Sequence, residues 1–209
     1  PTLAGPIQEM RRQALRMTAI VQDLLELSRL EVEGGAPPGE PISVDALMVR
    51  LRADLLARSK SDLDVRIEAL STEQLLGIEA QIHSAFANLL ENAAKYTPAG
   101  GAITMRWSCN EQGGQFSVTD TGIGIAPEHI PRLTERFYRV DAGRSRASGG
   151  SGLGLAIVKH VLQRHGASLQ IDSEENRGST FTCLFPPARL WPPPRLRPYR
   201  FAGDARGPQ

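Results

Sequence analysis

The sequence predicts an α/β two-layer sandwich with a mixed sheet, preceded by one long helix of the coiled-coil type. The helix is predicted by apolar residues that follow each other at alternating steps of four and three between residues 3 and 28. The sheet is predicted by runs of alternating apolar and polar residues, which occur as neighbours between stretches of helical spacing. This order favours a two-layer sandwich over a doubly wound parallel sheet. With 209 residues, of which 41% are hydrophobic, the chain can form a packed core.

The first predicted element is a helix that ends at the Gly/Pro-rich segment 34–39. Pro6 suits its first turn, and Ile20 and Leu27 widen its apolar stripe. A helix with such a stripe needs a partner helix, and no second helix of this kind follows. We expect that residues 1–5 are the loop of a helical hairpin whose first arm is missing. The stripe consists of Leu3, Ile7, Met10, Ala14, Met17, Val21, Leu24 and Ser28.

The later elements alternate between helical and strand periodicity. We interpret 34–42 as a linker, after which Ser43 can cap a helix. A strand near Val65 and a helix from about Glu79 to Ala93 follow. Apolar alternation then predicts strands at 103–109, 116–118, 169–171 and 181–185, and helical spacing predicts helices at 127–136 and 153–165. We therefore expect one domain over 43–186.

From residue 187 the composition changes to proline and arginine, and we interpret 187–209 as a disordered tail. We expect that deletion of 190–209 changes neither ligand affinity nor melting temperature. The tail carries five Arg against one Asp, which leaves 19 basic and 22 acidic residues in the rest of the chain. Because the basic excess is confined to the tail, the charge pattern does not indicate a nucleic-acid partner.

The sequence shows no targeting signal and no cysteine motif. No apolar run approaches the ~18 residues of a membrane span, and residues 1–30 lack the order of a signal peptide. Cys109 and Cys183 are far apart without CxxC spacing, so we expect neither a disulfide framework nor a zinc site. This pattern suits a soluble protein of the cytosol.

Three motifs occur in order: NLLENAAKYT at 88–97, DTGIGI at 120–125 and GGSGLGLAIVKH at 149–160. Asn88 and Asn92 are four residues apart and share one helix face, with Lys95 and Tyr96 a turn further on. An amide oxygen suits Mg²⁺, a lysine neutralises phosphate, and a tyrosine can lie beside a base or sugar. The alternative is a polar helix face that is only solvated.

The second and third motifs can recognise the two ends of a nucleotide. Asp120 ends a strand at a glycine turn, where its carboxylate can accept a hydrogen bond from the adenine amine. Read alone, it is an ordinary turn residue. Gly149, Gly150, Gly152 and Gly154 precede a helix, so backbone amides at that N-terminus can face phosphates, although a flexible loop has the same composition.

The segment ERFYRVDAGRSRAS at 135–148 resembles a lid over the site. We expect Phe137 to anchor the base of the lid in the core, while Arg139, Arg144 or Arg146 reaches the terminal phosphate. Arginines in such a loop are more often solvated, and only Arg139 lies beside the aromatic anchor.

With these residues in place, the chain resembles the ATP-binding catalytic domain of bacterial sensor histidine kinases over residues 40–186. The three motifs resemble the N, G1 and G2 boxes, ERFYRVD resembles the F box, and RGSTF at 177–181 resembles the closing glycine–strand element. Residues 6–33 resemble the second helix of the dimerisation and phosphotransfer hairpin and end in LLELSRLE. The segments RVDAGRSR and VKHVLQRHG are similar to phosphate-regulon sensor kinases.

The resemblance implies transfer of the γ-phosphoryl group of ATP to a histidine and then to the receiver domain of a response regulator, with ATP and Mg²⁺ as cofactors. It implies Asn92 as the Mg²⁺ ligand, Asn88 as its support, Lys95 and Arg139 as catalytic cations and Asp120 as the adenine reader. It further implies nucleotide contacts for Tyr96, Gly122, Gly124, Phe137, Gly150, Gly152, Leu153 and Gly154. A homodimer through the hairpin is implied for the full-length protein. Membrane anchoring, in the bacterial inner membrane, would come only from segments before this chain, which is then a cytoplasmic part.

One feature departs from the family. The acceptor histidine, which belongs on the first hairpin helix, is missing, and we interpret His83, His129, His160 and His165 as surface or packing residues. We therefore expect a fragment that is unable to phosphorylate itself. Two alternatives remain open: a nucleotide-binding regulatory module without catalysis, and a related serine kinase or ATPase. Asn88 disfavours an ATPase because gyrase-type enzymes carry a glutamate there as a base.

Overall fold

The computed structural model describes residues 4–32, 39–58, 62–140 and 151–191. Its α-helices are α1 (Ala4–Val32), α2 (Val44–Arg58), α3 (Glu79–Tyr96) and α4 (Gly154–Arg164). Its strands are β1 (Glu40–Ile42), β2 (Asp64–Ala69), β3 (Gln74–Gly77), β4 (Ala102–Asn110), β5 (Gly113–Asp120), β6 (Ser168–Glu174), β7 (Gly178–Phe185) and β8 (Leu190–Trp191). Short 3₁₀ turns lie at Ile130–Arg132 and Pro187–Arg189.

The main sheet has five strands in the order β2-β4-β5-β7-β6. Strands β2 and β4 are parallel, and the other neighbours are antiparallel, so the sheet is mixed, as predicted. The remaining strands form a small antiparallel sheet in the order β1-β3-β8.

Helices α2, α3 and α4 form a single layer on one face of the main sheet. Helix α3 contacts α2, α4 and β5, while α2 also contacts β2 and α4 also contacts β6. Between the layers, Phe86 of α3 stacks on Phe116 of β5 with ring centroids 3.6 Å apart. Burial alternates along β7, as expected for a sheet that is covered on one face. The predicted two-layer sandwich is therefore confirmed.

Helix α1 carries two different faces. Five members of the predicted stripe are exposed by between 40% and 72% of their surface: Ile7, Met10, Met17, Val21 and Leu24. Leu27 and Leu30 are buried instead and belong to the domain core, where α1 packs on α4. Leu27 was predicted to widen the stripe, but it faces the domain. Within the described part of the chain, no helix combines the length and apolar character needed to cross a membrane.

The helix predicted at 127–136 is wrong. The structure has only the 3₁₀ turn Ile130–Arg132 in this segment. The reason is Pro131, which has no backbone N–H to donate and whose ring clashes with the carbonyl of the preceding turn of an α-helix. The segment nevertheless contains apolar residues at helical spacing, and Leu133 packs against the core.

Two predicted boundaries also shift. The interpreted linker 34–42 ends in strand β1, which pairs with β3. The interpreted tail 187–209 begins with a 3₁₀ turn and β8, where Leu190 is 1% exposed and pairs with β3. The tail prediction is therefore wrong for residues 187–191, because an apolar Leu190 has a place in the core. Residues 192–209 lie outside the described residues, so the disorder predicted there remains a prediction.

Candidate functional site

A cavity of about 670 Å³ lies between α3, the turn after β5, the start of α4 and one face of α1. This volume falls within the roughly 300–1,000 Å³ of small-molecule sites. Nine of the residues singled out from the sequence line it: Asn88, Asn92, Lys95, Tyr96, Asp120, Gly124, Arg139, Gly152 and Gly154. The three motifs, which are far apart in the sequence, therefore meet in one cavity.

Helix α3 supplies the amides and the cation. The Asn88 Nδ2 group donates a hydrogen bond to the Ser84 carbonyl oxygen at 3.0 Å. This bond orients the Asn88 Oδ1 atom toward α4, where a Cβ on residue 154 would lie only 2.4 Å from it. Gly154 thus permits the close approach of the two helices. The Lys95 Nζ atom lies 4.9 Å from the centre of the Tyr96 ring, a cation–π distance.

Asp120 lies at the end of β5 with only 6% of its surface exposed. Its Oδ1 atom accepts a hydrogen bond from the Gly122 N–H at 2.8 Å, and the carboxylate also accepts one from the Ser179 N–H. Burial raises the pKa of the Asp120 carboxyl above its ordinary value, and the two N–H groups partly offset this effect. The result is an oriented hydrogen-bond acceptor in a poorly hydrated part of the cavity.

The two ends of segment 141–150 are joined by backbone contacts. The Phe137 N–H donates to the Gly152 carbonyl oxygen at 2.9 Å, and both residues have positive φ angles, 62° and 76°. Leu153, which precedes α4, is fully buried, and its N–H donates to the Ser151 hydroxyl at 3.1 Å. The described residues on the two sides of 141–150 are therefore held together by this backbone contact, next to the buried Leu153.

The predicted role of Phe137 as a core anchor is wrong, because its side chain is 57% exposed. Its left-handed backbone conformation is fixed by the bond to Gly152, so the backbone rather than the ring forms the anchor. Phe137, Gly122 and Leu153 do not line the cavity directly. Arg139 lines it and is half-buried. Gly150, Arg144 and Arg146 lie outside the described residues.

Sequence reasoning missed Tyr138 as a residue of the cavity. Tyr138 lines the cavity, and its hydroxyl lies 2.8 Å from the His129 Nδ1 atom. The Arg132 guanidinium lies over the same ring at 4.3 Å. His129 does not line the cavity itself, and its contact with Tyr138 agrees with the packing role predicted for it. The only sequence signal was the position of Tyr138 beside Phe137.

The other histidines fit the predicted structural role. His165 is fully buried, and its Nδ1 and Nε2 atoms bond to the Val161 carbonyl oxygen and the Ile78 N–H. Burial lowers the pKa of His165, with Arg189 and Arg164 adding to the effect. Burial likewise lowers the pKa of His160, which lies 3.6 Å from Glu31 of α1.

Sequence reasoning also missed the contribution of α1. Arg16, Ala19, Ile20 and Asp23 line the cavity. The Ser151 hydroxyl donates to the Asp23 Oδ2 atom at 2.7 Å, which connects α1 to the start of α4. Sequence spacing revealed the stripe on a neighbouring face of α1 and assigned Ile20 to its edge, but the contact with the cavity depends on how the helix packs on the domain.

Residues 77–189 match the family described as histidine kinase-, DNA gyrase B- and HSP90-like ATPases. The phosphate regulon sensor protein PhoR of Pseudomonas aeruginosa is 50% identical over 191 residues, which are 91% of this chain and 43% of that protein. The sensor-like histidine kinase SenX3 of Mycobacterium tuberculosis strain H37Rv is 40% identical over 175 residues, with 83% and 43% covered. The chain thus spans less than half the length of these curated relatives.

Solved structures of sensor kinases share the fold. The mycobacterial sensor histidine kinase MprB matches with 30% identity and a TM-score of 0.62, over 71% of this chain and 97% of that one. Full-length ShkA, solved in complex with AMPPNP, matches with 25% identity and a TM-score of 0.74, over 86% of this chain and 38% of that one.

Proposed function

Since this chain belongs to the family of histidine kinase-, DNA gyrase B- and HSP90-like ATPases, we propose that it is the ATP-binding catalytic part of a two-component sensor histidine kinase. The observation that carries the proposal is the meeting of Asp120, the two asparagines of α3 and the start of α4 in one cavity. Each of these groups suits a different part of ATP.

The adenine end of the site is Asp120. Its carboxylate is fixed by backbone N–H groups and is shielded from water, so it accepts the exocyclic amine of adenine. Guanine presents a carbonyl oxygen at that position, which the carboxylate would repel. The Tyr96 side chain, which also lines the cavity, contacts the base or the sugar.

The phosphate end lies between α3 and α4. The oxygen of Asn92 suits a Mg²⁺ ion held together with nucleotide phosphates, and the cations of Lys95 and Arg139 offset phosphate charge. The bound metal would neutralise the charge that develops on the phosphates. Among the described residues, no group of three His, Cys, Asp or Glu side chains could hold a metal ion.

The reaction that suits the site is transfer to an imidazole. Asn88 is a neutral amide, which is not basic enough to remove a proton from water, and its Nδ2 group donates to the Ser84 carbonyl oxygen. A neutral imidazole nitrogen needs no base to attack the γ-phosphorus atom, and ADP leaves as the P–O bond breaks. We propose that the acceptor histidine lies on a helix that pairs with the exposed stripe of α1. A response regulator receives the group next, and the complete protein is a membrane-anchored homodimer.

The test uses radiolabelled ATP, this chain and a separate helical fragment that carries the acceptor histidine. We expect the chain to bind ATP with Mg²⁺, to remain unlabelled when alone and to produce acid-labile phosphate on the fragment. Binding without any transfer would favour the regulatory module. Label on this chain alone would mean that one of its four histidines is an acceptor, which would contradict the proposal.

A further inference from the structure

Helix α1 presents a half-buried face to the nucleotide cavity. Arg16, Ile20 and Asp23 follow each other at steps of four and three, so they share one face of the helix. All three are half-buried and line the cavity, whereas the stripe residues Met17, Val21 and Leu24 on the other side are exposed. The long side chain of Arg16 therefore lies at the wall of the site.

The acidic groups of the same cavity already have partners. Asp23 accepts the Ser151 hydroxyl at 2.7 Å, and Asp120 accepts the Gly122 N–H at 2.8 Å. Glu91, the remaining carboxylate of the wall, lies 3.2 Å from Arg58. Arg16 makes no ion pair with any residue that the structure describes. Arg16 is thus a half-buried cation of this cavity that has no carboxylate within ion-pair distance among the described residues.

We propose that Arg16 of α1 binds the phosphate chain of the nucleotide and so completes the site from outside the catalytic domain. A nucleotide such as ATP carries its formal charge on its phosphates, so a guanidinium at the cavity wall finds its counter-charge there. The proposal rests on the proposed function, because it assigns a further residue to the same ATP site.

The contact makes nucleotide binding depend on the position of α1. The bond from Ser151 to Asp23 and the buried Leu27 and Leu30 hold α1 against the domain. When α1 turns or withdraws, Arg16 leaves the phosphates and affinity falls. By linkage, bound ATP favours the docked helix to the same extent. A signal that arrives along α1 then changes the nucleotide site directly.

Calorimetry with ATP and with adenosine tests this role in the whole chain. Arg16→Ala should weaken ATP binding by roughly tenfold, the scale of a charged hydrogen bond, and leave adenosine binding unchanged. Arg16→Lys should retain part of the ATP affinity, because it keeps the charge. Arg11→Ala is the matched control: it removes the same group from an exposed position of the same helix and should change neither affinity.

The outcomes separate the two proposals. If wild-type chain binds no ATP, the proposed function fails, and the role of Arg16 fails with it. If wild type binds ATP and Arg16→Ala binds it equally well, only the role of Arg16 is refuted. An equal loss of ATP and adenosine binding would also refute it, because a phosphate contact cannot act on adenosine.

Discussion

Asp120 is the residue at which burial and recognition are in direct conflict. Its carboxylate is almost completely removed from water, which favours the protonated form and raises its pKa. The proposed recognition of the adenine amine favours the ionised form, since protonation turns one carboxyl oxygen into a donor and makes the other a weaker acceptor. The N–H groups of Gly122 and Ser179 favour ionisation and make the buried acceptor usable.

This conflict predicts a pH dependence for binding. Adenosine affinity should be full above the raised pKa of Asp120 and should fall as the pH drops through it. Asp120→Ala should weaken adenosine and ATP binding by ~1.5–3 kcal/mol, roughly tenfold to a hundredfold, and should abolish the pH step. Calorimetry with adenosine over a pH series that rises from the ordinary pKa of an aspartate carboxyl measures both effects. Unchanged affinity in a folded variant would refute the adenine role.

The raised pKa of Asp120 changes the free energy of unfolding with pH in the opposite direction from ligand affinity. Because the folded-state pKa is raised, the folded chain binds more protons than the unfolded chain between the two pKa values. The contribution of Asp120 to stability therefore falls as the pH rises through this window. Acidification weakens ligand binding and relieves the cost of burying the charge.

The turn after Asp120 depends on Gly124. Gly124 has a φ of 66°, and a Cβ there would lie 2.0 Å from the Glu174 carbonyl oxygen. Gly166 has almost the same φ, 67°, but an added Cβ would meet no atom within 4 Å. Substitution of Gly166 therefore introduces backbone strain alone, whereas substitution of Gly124 adds a steric clash to the same strain.

We predict that Gly166→Ala lowers the free energy of unfolding by roughly 1–2 kcal/mol, the cost of a left-handed conformation for alanine. Gly124→Ala should lower it by clearly more, because the turn must also move away from Glu174. It should also weaken adenosine binding, since the turn positions Asp120. Denaturant unfolding and calorimetry measure the two effects, and equal destabilisation by both substitutions would contradict the steric explanation.

At the scale of secondary-structure elements, β8 contributes more than its two residues indicate. It completes the small sheet beside β3, and Leu190 enters the core while Trp191 is half exposed. Leu190 lies beside position 114 on β5, where an added Cβ would be 2.9 Å from its Cδ2 atom. The end of the described chain is therefore part of the domain.

We predict that Leu190→Ala lowers the free energy of unfolding by ~2–5 kcal/mol, the usual cost of truncating a buried leucine. A chain that ends at Trp191 should melt like the 209-residue chain, whereas one that ends at Arg189 should melt at a lower temperature. Thermal unfolding of the three chains makes the comparison. Identical melting temperatures would show that β8 does not stabilise the domain.

The elements that could be predicted from the sequence are those whose buried face follows from residue spacing within the element itself. Periodicity located α3 and α4, and alternation located β4 and β7, because their burial follows from spacing within each element. Strands β1 and β8 were missed because each is very short and is defined by its pairing with β3. The helix at 127–136 failed because its apolar spacing was weighed above Pro131.

The same distinction applies to the site. Asn88, Asn92 and Asp120 were found from their motifs, since residue type and spacing carry the chemistry. Arg16 and Asp23 were not found, because their contribution depends on which face of α1 packs on the domain. The apolar stripe on the neighbouring face was the stronger sequence pattern. Tertiary packing thus decides which residues of a two-faced helix join the site.

At the scale of the whole molecule, α1 lies between the nucleotide cavity and the partner helix that we propose as the carrier of the acceptor histidine. One face of α1 binds the catalytic domain through Leu27, Leu30 and Asp23, and the exposed stripe is left for a partner helix. In an isolated chain the acceptor histidine must therefore arrive by diffusion. In a complete hairpin it is held near the γ-phosphate, and such proximity can lower the barrier by several kcal/mol, within the roughly 7–11 kcal/mol limit for ideal geometry.

We therefore predict different reaction orders for an acceptor helix that is supplied as a separate fragment and for one that is joined to this chain. Transfer from this chain to a separate acceptor fragment should accelerate in proportion to the fragment concentration, because encounter limits the reaction. A longer chain with both hairpin helices should transfer at a rate per molecule that stays constant on dilution, until its dimers dissociate. Initial rates of acid-labile labelling over a dilution series distinguish the two. If the separated parts reacted at dilution as fast as the joined chain, α1 would not serve to hold the acceptor near ATP.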